Sequence, residues 1–149
     1  MRITRSSYLS ALRCPRKMYF QVHGQSRENS SDPATRMFVG QGRRVAAIAR
    51  QAFRGGESVE WKGPENERRD LEHTALLVND PDVRLIYGGV FEHGDIFVRA
   101  DILERLETGA WRLVMVKPAA SLKENHFHEL ALMKYVLEAC GLVLGAFAV

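Results

Sequence analysis

Val98-Arg99-Ala100-Asp101-Ile102-Leu103-Glu104-Arg105 and, after a short turn, Trp111-Arg112-Leu113-Val114-Met115-Val116-Lys117 form the most telling stretch of this chain. Both segments are rich in β-branched and large apolar residues, and Thr108-Gly109 between them is a turn signal. On a strand, residues two apart share a face. Asp101 therefore sides with Arg99 and Leu103, and Met115 and Lys117 side with Leu113, while Val114 and Val116 point the other way. Pairing of the two strands across the turn lets Asp101 and the Met115/Lys117 face converge.

The pattern extends outward from this pair. Leu85-Ile86-Tyr87 and Val90-Phe91 precede Glu92-His93-Gly94-Asp95, a hairpin-turn signature. The expected strands are then Ile96 to Leu103 and Trp111 to Val116, with a turn over Glu104 to Gly109. Glu124 to Cys140 reads as a helix closed by Gly141, and Leu142 to Val149 as a last apolar strand. On the amino-terminal side the period is helical. Ser6-Ser7 cap a short helix, Pro15 either interrupts it or starts a second turn through Phe20, and Ala34 to Phe53 carries Met37, Val45, Ile48, Ala49 and Phe53 at helical spacing. Gly40 and Gly42 weaken its first half, which leaves room for a break there. Residues 21–33 are polar and read as a flexible loop. Glu57 to Trp61 suits a short edge strand and Glu65 to Val78 a helix that ends before Pro81. The order predicts an α/β (α+β) fold, in which a mixed central sheet with an antiparallel meander is flanked by helices.

The 149 residues, 46% of them hydrophobic, suffice for one domain spanning 1–149. No apolar run is long enough for a membrane span, and no signal-peptide core follows Met1. Cys14 and Cys140 are too few for a disulfide framework and lack zinc spacing, which points to a cytoplasmic protein with reduced thiols. The net charge of +3 hides an asymmetry: residues 1–54 hold eleven Lys and Arg against Glu28 and Asp32. Such a basic third suits phosphate binding, and Arg43, Arg44 and Arg50 on the long helix are the candidate nucleic-acid contacts.

Phosphodiester hydrolysis with Mg²⁺ or Mn²⁺ needs oxygen ligands for the ion and a cation to activate water or stabilise developing charge. Asp101 and the Val116 backbone carbonyl are the candidate metal ligands, and Asp101 and Lys117 the candidate catalytic pair. His126 and His128 lie two apart, on different faces of a helix, and cannot chelate together. His126 and Glu129 are one turn apart and can.

The chain resembles the PD-(D/E)XK nucleases, particularly RecB-type domains related to the exonucleases of CRISPR spacer acquisition. The resemblance rests on Tyr8-Leu9 through Cys14-Pro15-Arg16-Lys17, Gly42 with Val45 and Ala49, Thr74, Arg99 to Leu103, Val116-Lys117, and Ala131 with Tyr135-Val136-Leu137 before Gly141. It implies a restriction-endonuclease-like core, with Asp101 as metal-binding aspartate and Lys117 as catalytic lysine of a metal-dependent DNA nuclease.

The departures are as informative. Met115 stands where the family has a second carboxylate, Met133 where it usually has Gln, and Arg43-Arg44 where it often has His or Glu. A thioether is a poor partner for Mg²⁺. Glu129, one turn before Met133, is the nearby acid able to substitute. The expectation is a hydrolase weakened or inactivated by this loss. The alternative is a catalytically inactive, nucleic-acid-binding pseudonuclease, or a structural module of a larger nuclease. Some relatives carry an iron–sulfur cluster; Cys14 matches its early cysteine, but no downstream group follows, so no cluster is expected. DNA is the expected partner. The abrupt apolar end suggests a chain truncated at its C-terminus, with self-association or a larger nuclease assembly to follow.

Overall fold

The structure, a computed structural model, describes residues 2–24 and 33–149. It runs β1 (Ile3–Thr4), α1 (Arg5–Arg13), α2 (Pro15–Val22), α3 (Pro33–Ala52), β2 (Glu57–Ser58), a 3-10 turn (Pro64–Asn66) and α4 (Glu67–Asn79). There follow β3 (Leu85–Tyr87), β4 (Val90–His93), β5 (Ile96–Arg99), β6 (Ile102–Arg105), β7 (Trp111–Val114), α5 (Glu124–Ala139) and β8 (Leu144–Ala148). The mixed α/β architecture agrees with the sequence reading. Most of the loop expected over 21–33 lies outside the described residues, although α2 already takes in Gln21 and Val22, and Pro33 opens α3.

An antiparallel ribbon bent at its middle organises the sheets. β3 passes through Gly88-Gly89 into β4, and β5 passes through Ala100-Asp101 into β6. β4 and β5 pair from Val90↔Arg99 to His93↔Ile96, around the hairpin turn the sequence announces. β3 and β6 pair from Leu85↔Glu104 to Tyr87↔Ile102. At the elbow, the Gly88 N–H donates to the Asp101 carbonyl at 3.0 Å and the Ala100 N–H to the Gly89 carbonyl at 2.8 Å. The single strand expected from Ile96 to Leu103 is therefore divided. Its first half lies in a three-stranded sheet, β1-β5-β4, and its second in a five-stranded one, β2-β3-β6-β7-β8. Gly88 makes the bend possible: its φ is +69°, and a Cβ there would stand 2.9 Å from the Val59 carbonyl oxygen.

Beyond the elbow, β6 and β7 are antiparallel, and α5 crosses over to lay β8 parallel to β7. The turn before β7 is shorter than expected because Glu104 and Arg105 stay in the ladder opposite Arg112 and Trp111. Glu104 bonds Arg112, so it does not face the candidate site. Both faces of the larger sheet are covered, which is why its strands read as nearly continuous apolar runs. Leu85, Tyr87, Ile102 and Val114 pack toward Ala49 of α3 and Phe53 just beyond its end. Ile86, Leu103, Leu113 and Met115 pack on the other side with Leu132, Met133, Val136 and Leu137 of α5.

Several local expectations shift for identifiable reasons. The cap of α1 is Thr4 rather than the Ser pair, with the Ser7 N–H donating to Thr4 Oγ1 at 3.3 Å and the Thr4 N–H to Ser7 Oγ at 2.8 Å. α3 runs unbroken through Gly40 and Gly42, its twenty residues absorbing the roughly 1 kcal/mol that each glycine costs relative to alanine. The edge strand after α3 shrinks to Glu57–Ser58, parallel to β3, with Val59 still donating its N–H to Tyr87 at 2.9 Å. No helix among the described residues is long and apolar enough to cross a membrane.

Thr74 ties α4 to the elbow. It is 1% exposed, donates its hydroxyl to the Asp70 carbonyl at 2.8 Å and accepts from the Val90 N–H at 3.0 Å. Thr74→Val keeps the shape and orphans a buried amide, so the expected loss is about 1–3 kcal/mol of unfolding free energy, measured by urea titration. An unchanged midpoint would remove this role.

Candidate functional site

Asp101 sits at the elbow, where the backbone leaves one sheet for the other. Its Oδ2 accepts the Val116 N–H at 2.9 Å, so the ends of β6 and β7 are joined by a side chain as well as by the ladder. Lys117, beyond the end of β7, points to the α5 side with Met115, as strand alternation requires. There it donates to Glu129, whose side chain is 5% exposed. Arg5, the first residue of α1, completes the group. Its Nε stands 3.3 Å from Glu129 Oε2 and its Nη1 3.8 Å from Asp101 Oδ2. Two acids, one from the elbow before β6 and one from α5, thus alternate with two cations, one from beyond β7 and one from α1.

A second cluster shares two of these residues. Arg5, Arg50, Arg99 and Asp101 line a cleft of about 190 Å³, with Gly88 and Val116 at its walls. The Arg50 guanidinium lies over the Tyr87 ring at 5.3 Å, and Arg99 Nε donates to the Gly88 carbonyl at 3.3 Å. Neither arginine forms an ion pair with a described residue. Loss of surrounding water lowers the pKa of Arg99, and the neighbouring Arg50 lowers it further, against partial compensation from Asp101 and Asp70. The cleft holds uncompensated positive charge.

The structure brings Asp101, Val116 and Arg50 to one cleft, and holds Lys117 next to Val116 but turned to Glu129 of α5. Arg44 is exposed and does not line the cleft; the side chain of Arg43 lies outside the described residues. Val116 meets Asp101 through its N–H rather than its carbonyl. Strand alternation puts Arg99 on the Asp101 face but assigns it no role, and it does not reach Arg5 or the depth of Glu129. Glu129 shows in the sequence as an acid one turn before Met133. His126 is no partner for it: the His126 ring accepts the Lys123 N–H at 3.2 Å through Nδ1, capping α5. His128 pairs with Glu124 at 3.9 Å.

The donor set does not fit a divalent ion. Mg²⁺ and Mn²⁺ require several free oxygen ligands. Here Glu129 is held by Lys117 and Arg5, Asp101 by the Val116 amide and, more loosely, Arg5, and the third position is the fully buried thioether of Met115. Among the described residues, no three His, Cys, Asp or Glu side chains are grouped to hold a metal.

No protein-family model, curated protein or solved structure matches the chain.

Proposed function

We propose that this chain is a nucleic-acid-binding domain on a restriction-endonuclease-like framework, a pseudonuclease that grips phosphate and does not cut. The observation that carries this reading is the convergence of Arg5, Arg50 and Arg99 on one cleft, in which Asp101 is the lone acid among the described residues. Neutralising phosphates with guanidinium groups releases counterions and supplies most sequence-independent affinity for nucleic acid. The framework is supported by the strand–turn–strand pair bearing Asp101 and Lys117, with α5 crossing between parallel β7 and β8. Against hydrolysis stands the pairing of both carboxylates with cations of the chain itself. Lys117, bound to Glu129, then acts as a strut between β7 and α5 rather than as a water-activating group.

Fluorescence anisotropy with short DNA over a salt series tests the proposal. Binding at low ionic strength should weaken steeply as salt rises, and Arg50→Met or Arg99→Met should each lower the log–log salt slope by about one. Affinity too weak to measure at low salt overturns the reading. So does Mn²⁺-dependent cleavage of linear DNA that disappears in Asp101→Ala, which would restore the nuclease.

A further inference from the structure

Beside the arginine cleft lies a second, larger hollow of about 490 Å³, and the two share Arg5 and Arg99. Its walls have a different chemistry. Trp61 and Phe97 line it with their rings 5.2 Å apart and tilted, and Thr4 and Ser6 contribute hydroxyls at its rim. Phe97 is buried and backed by the guanidinium of Arg2, 4.0 Å from its ring centre, whereas Trp61 keeps part of its surface in solvent. Arg5 spans the boundary. Its Nη1 is buried and donates to no described group, which leaves a donor aimed at neither of its acidic neighbours within hydrogen-bond reach.

Charge and shape together are specific. With Glu129 balanced by Lys117, the three arginines Arg5, Arg50 and Arg99 against Asp101 leave two positive charges in excess at the small cleft. A phosphomonoester is a dianion near neutral pH, and a diester carries only one charge. The adjoining hollow is apolar, partly aromatic and of ligand-pocket size, the surface on which a flat heterocycle stacks. We propose that the paired pockets bind one nucleotide through its 5′-phosphomonoester, the phosphate among Arg5, Arg50 and Arg99 and the base against Trp61. The inference rests on the phosphate-binding reading above and goes beyond it by naming the unit recognised. That unit can come from a free nucleoside monophosphate or from the phosphorylated end of a strand.

Calorimetry with deoxyadenosine 5′-monophosphate, deoxyadenosine and inorganic phosphate tests the two halves separately. The nucleotide should bind more tightly than either part. Trp61→Ala should weaken the nucleotide about tenfold while leaving inorganic phosphate unaffected. Arg99→Met should weaken both. Circular dichroism checks that each variant is folded, and Trp61→Phe should restore most of the nucleotide affinity. Oligonucleotides with 5′-phosphate or 5′-hydroxyl ends, labelled at the other end, identify the source. A preference of about tenfold for the phosphorylated end assigns the pockets to strand termini; nucleotide binding without that preference assigns them to free nucleotides. The inference falls if the monophosphate binds no better than inorganic phosphate, or if folded Trp61→Ala binds it unchanged. If DNA binds without regard to its end and the monophosphate does not bind, this inference fails and the pseudonuclease reading stands. Monophosphate binding with no DNA affinity sinks the pseudonuclease reading and leaves the nucleotide site in place.

Discussion

Glu129→Leu should lower the unfolding free energy by about 2–4 kcal/mol, one of the two largest effects expected of a single substitution here. Glu129 is nearly fully buried and faces two cations, Lys117 and Arg5. Removing the carboxylate leaves Lys117, only 17% exposed, with a charge it cannot hydrate well. The figure is kept below that of a fully buried pair because Arg5, 35% exposed, recovers part of its hydration. At about 2–4 °C per kcal/mol for a chain of this length, the midpoint should fall by roughly 5–15 °C. The double variant Lys117→Met with Glu129→Leu separates pair from packing. It should recover most of the loss, since an apolar pair of similar volume often replaces a buried ion pair at little cost. A double variant no more stable than Glu129→Leu would show that the carboxylate's main partner is not Lys117.

Met115→Glu is the second. In metal-free buffer it should cost about 3 kcal/mol or more, read by thermal denaturation, because it puts a carboxylate where the thioether is fully buried among Leu113, Met133 and Leu137. The same change supplies the acid that the nuclease pattern lacks, on the strand face of Lys117. Millimolar Mn²⁺ should then raise the midpoint of the variant and leave the wild type where it was, since an ion that binds only the folded state stabilises it. A variant as stable as wild type without metal would contradict the burial of Met115. A variant indifferent to Mn²⁺ would show that position 115 and the carboxylates Asp101 and Glu129 do not face a common point.

What could be read in advance follows from range. Strand alternation and turn residues are local, so the hairpin at Gly94, the β7–α5–β8 crossover and the convergence of Asp101 with the Lys117 strand were all legible. The break of one expected strand at Ala100-Asp101 was not. It depends on Gly88, twelve residues earlier, taking a positive φ beneath the Val59 carbonyl. Arg5 was invisible for the same reason: nothing between residues 5 and 101 announces that they meet. The basic helix places its arginines differently from one another. Arg50 reaches the cleft, whereas Arg44 is exposed elsewhere, a distinction set by the packing of Ala49 and Phe53 on the sheet rather than by charge.

The elbow of the ribbon has a consequence for how much this chain can drift in evolution. Two peptide hydrogen bonds at Gly88 and Ala100 set the curvature, and they also hold Asp101 and Arg99 at the cleft. Shape and binding chemistry are therefore inherited together at that point. The hairpin tip, Glu92 to Asp95, is solvent-exposed, and exposed loop tips tolerate insertions better than a bend does. A chain that straightened the ribbon would lose its cleft in the same step, whereas one that lengthened the tip would keep it.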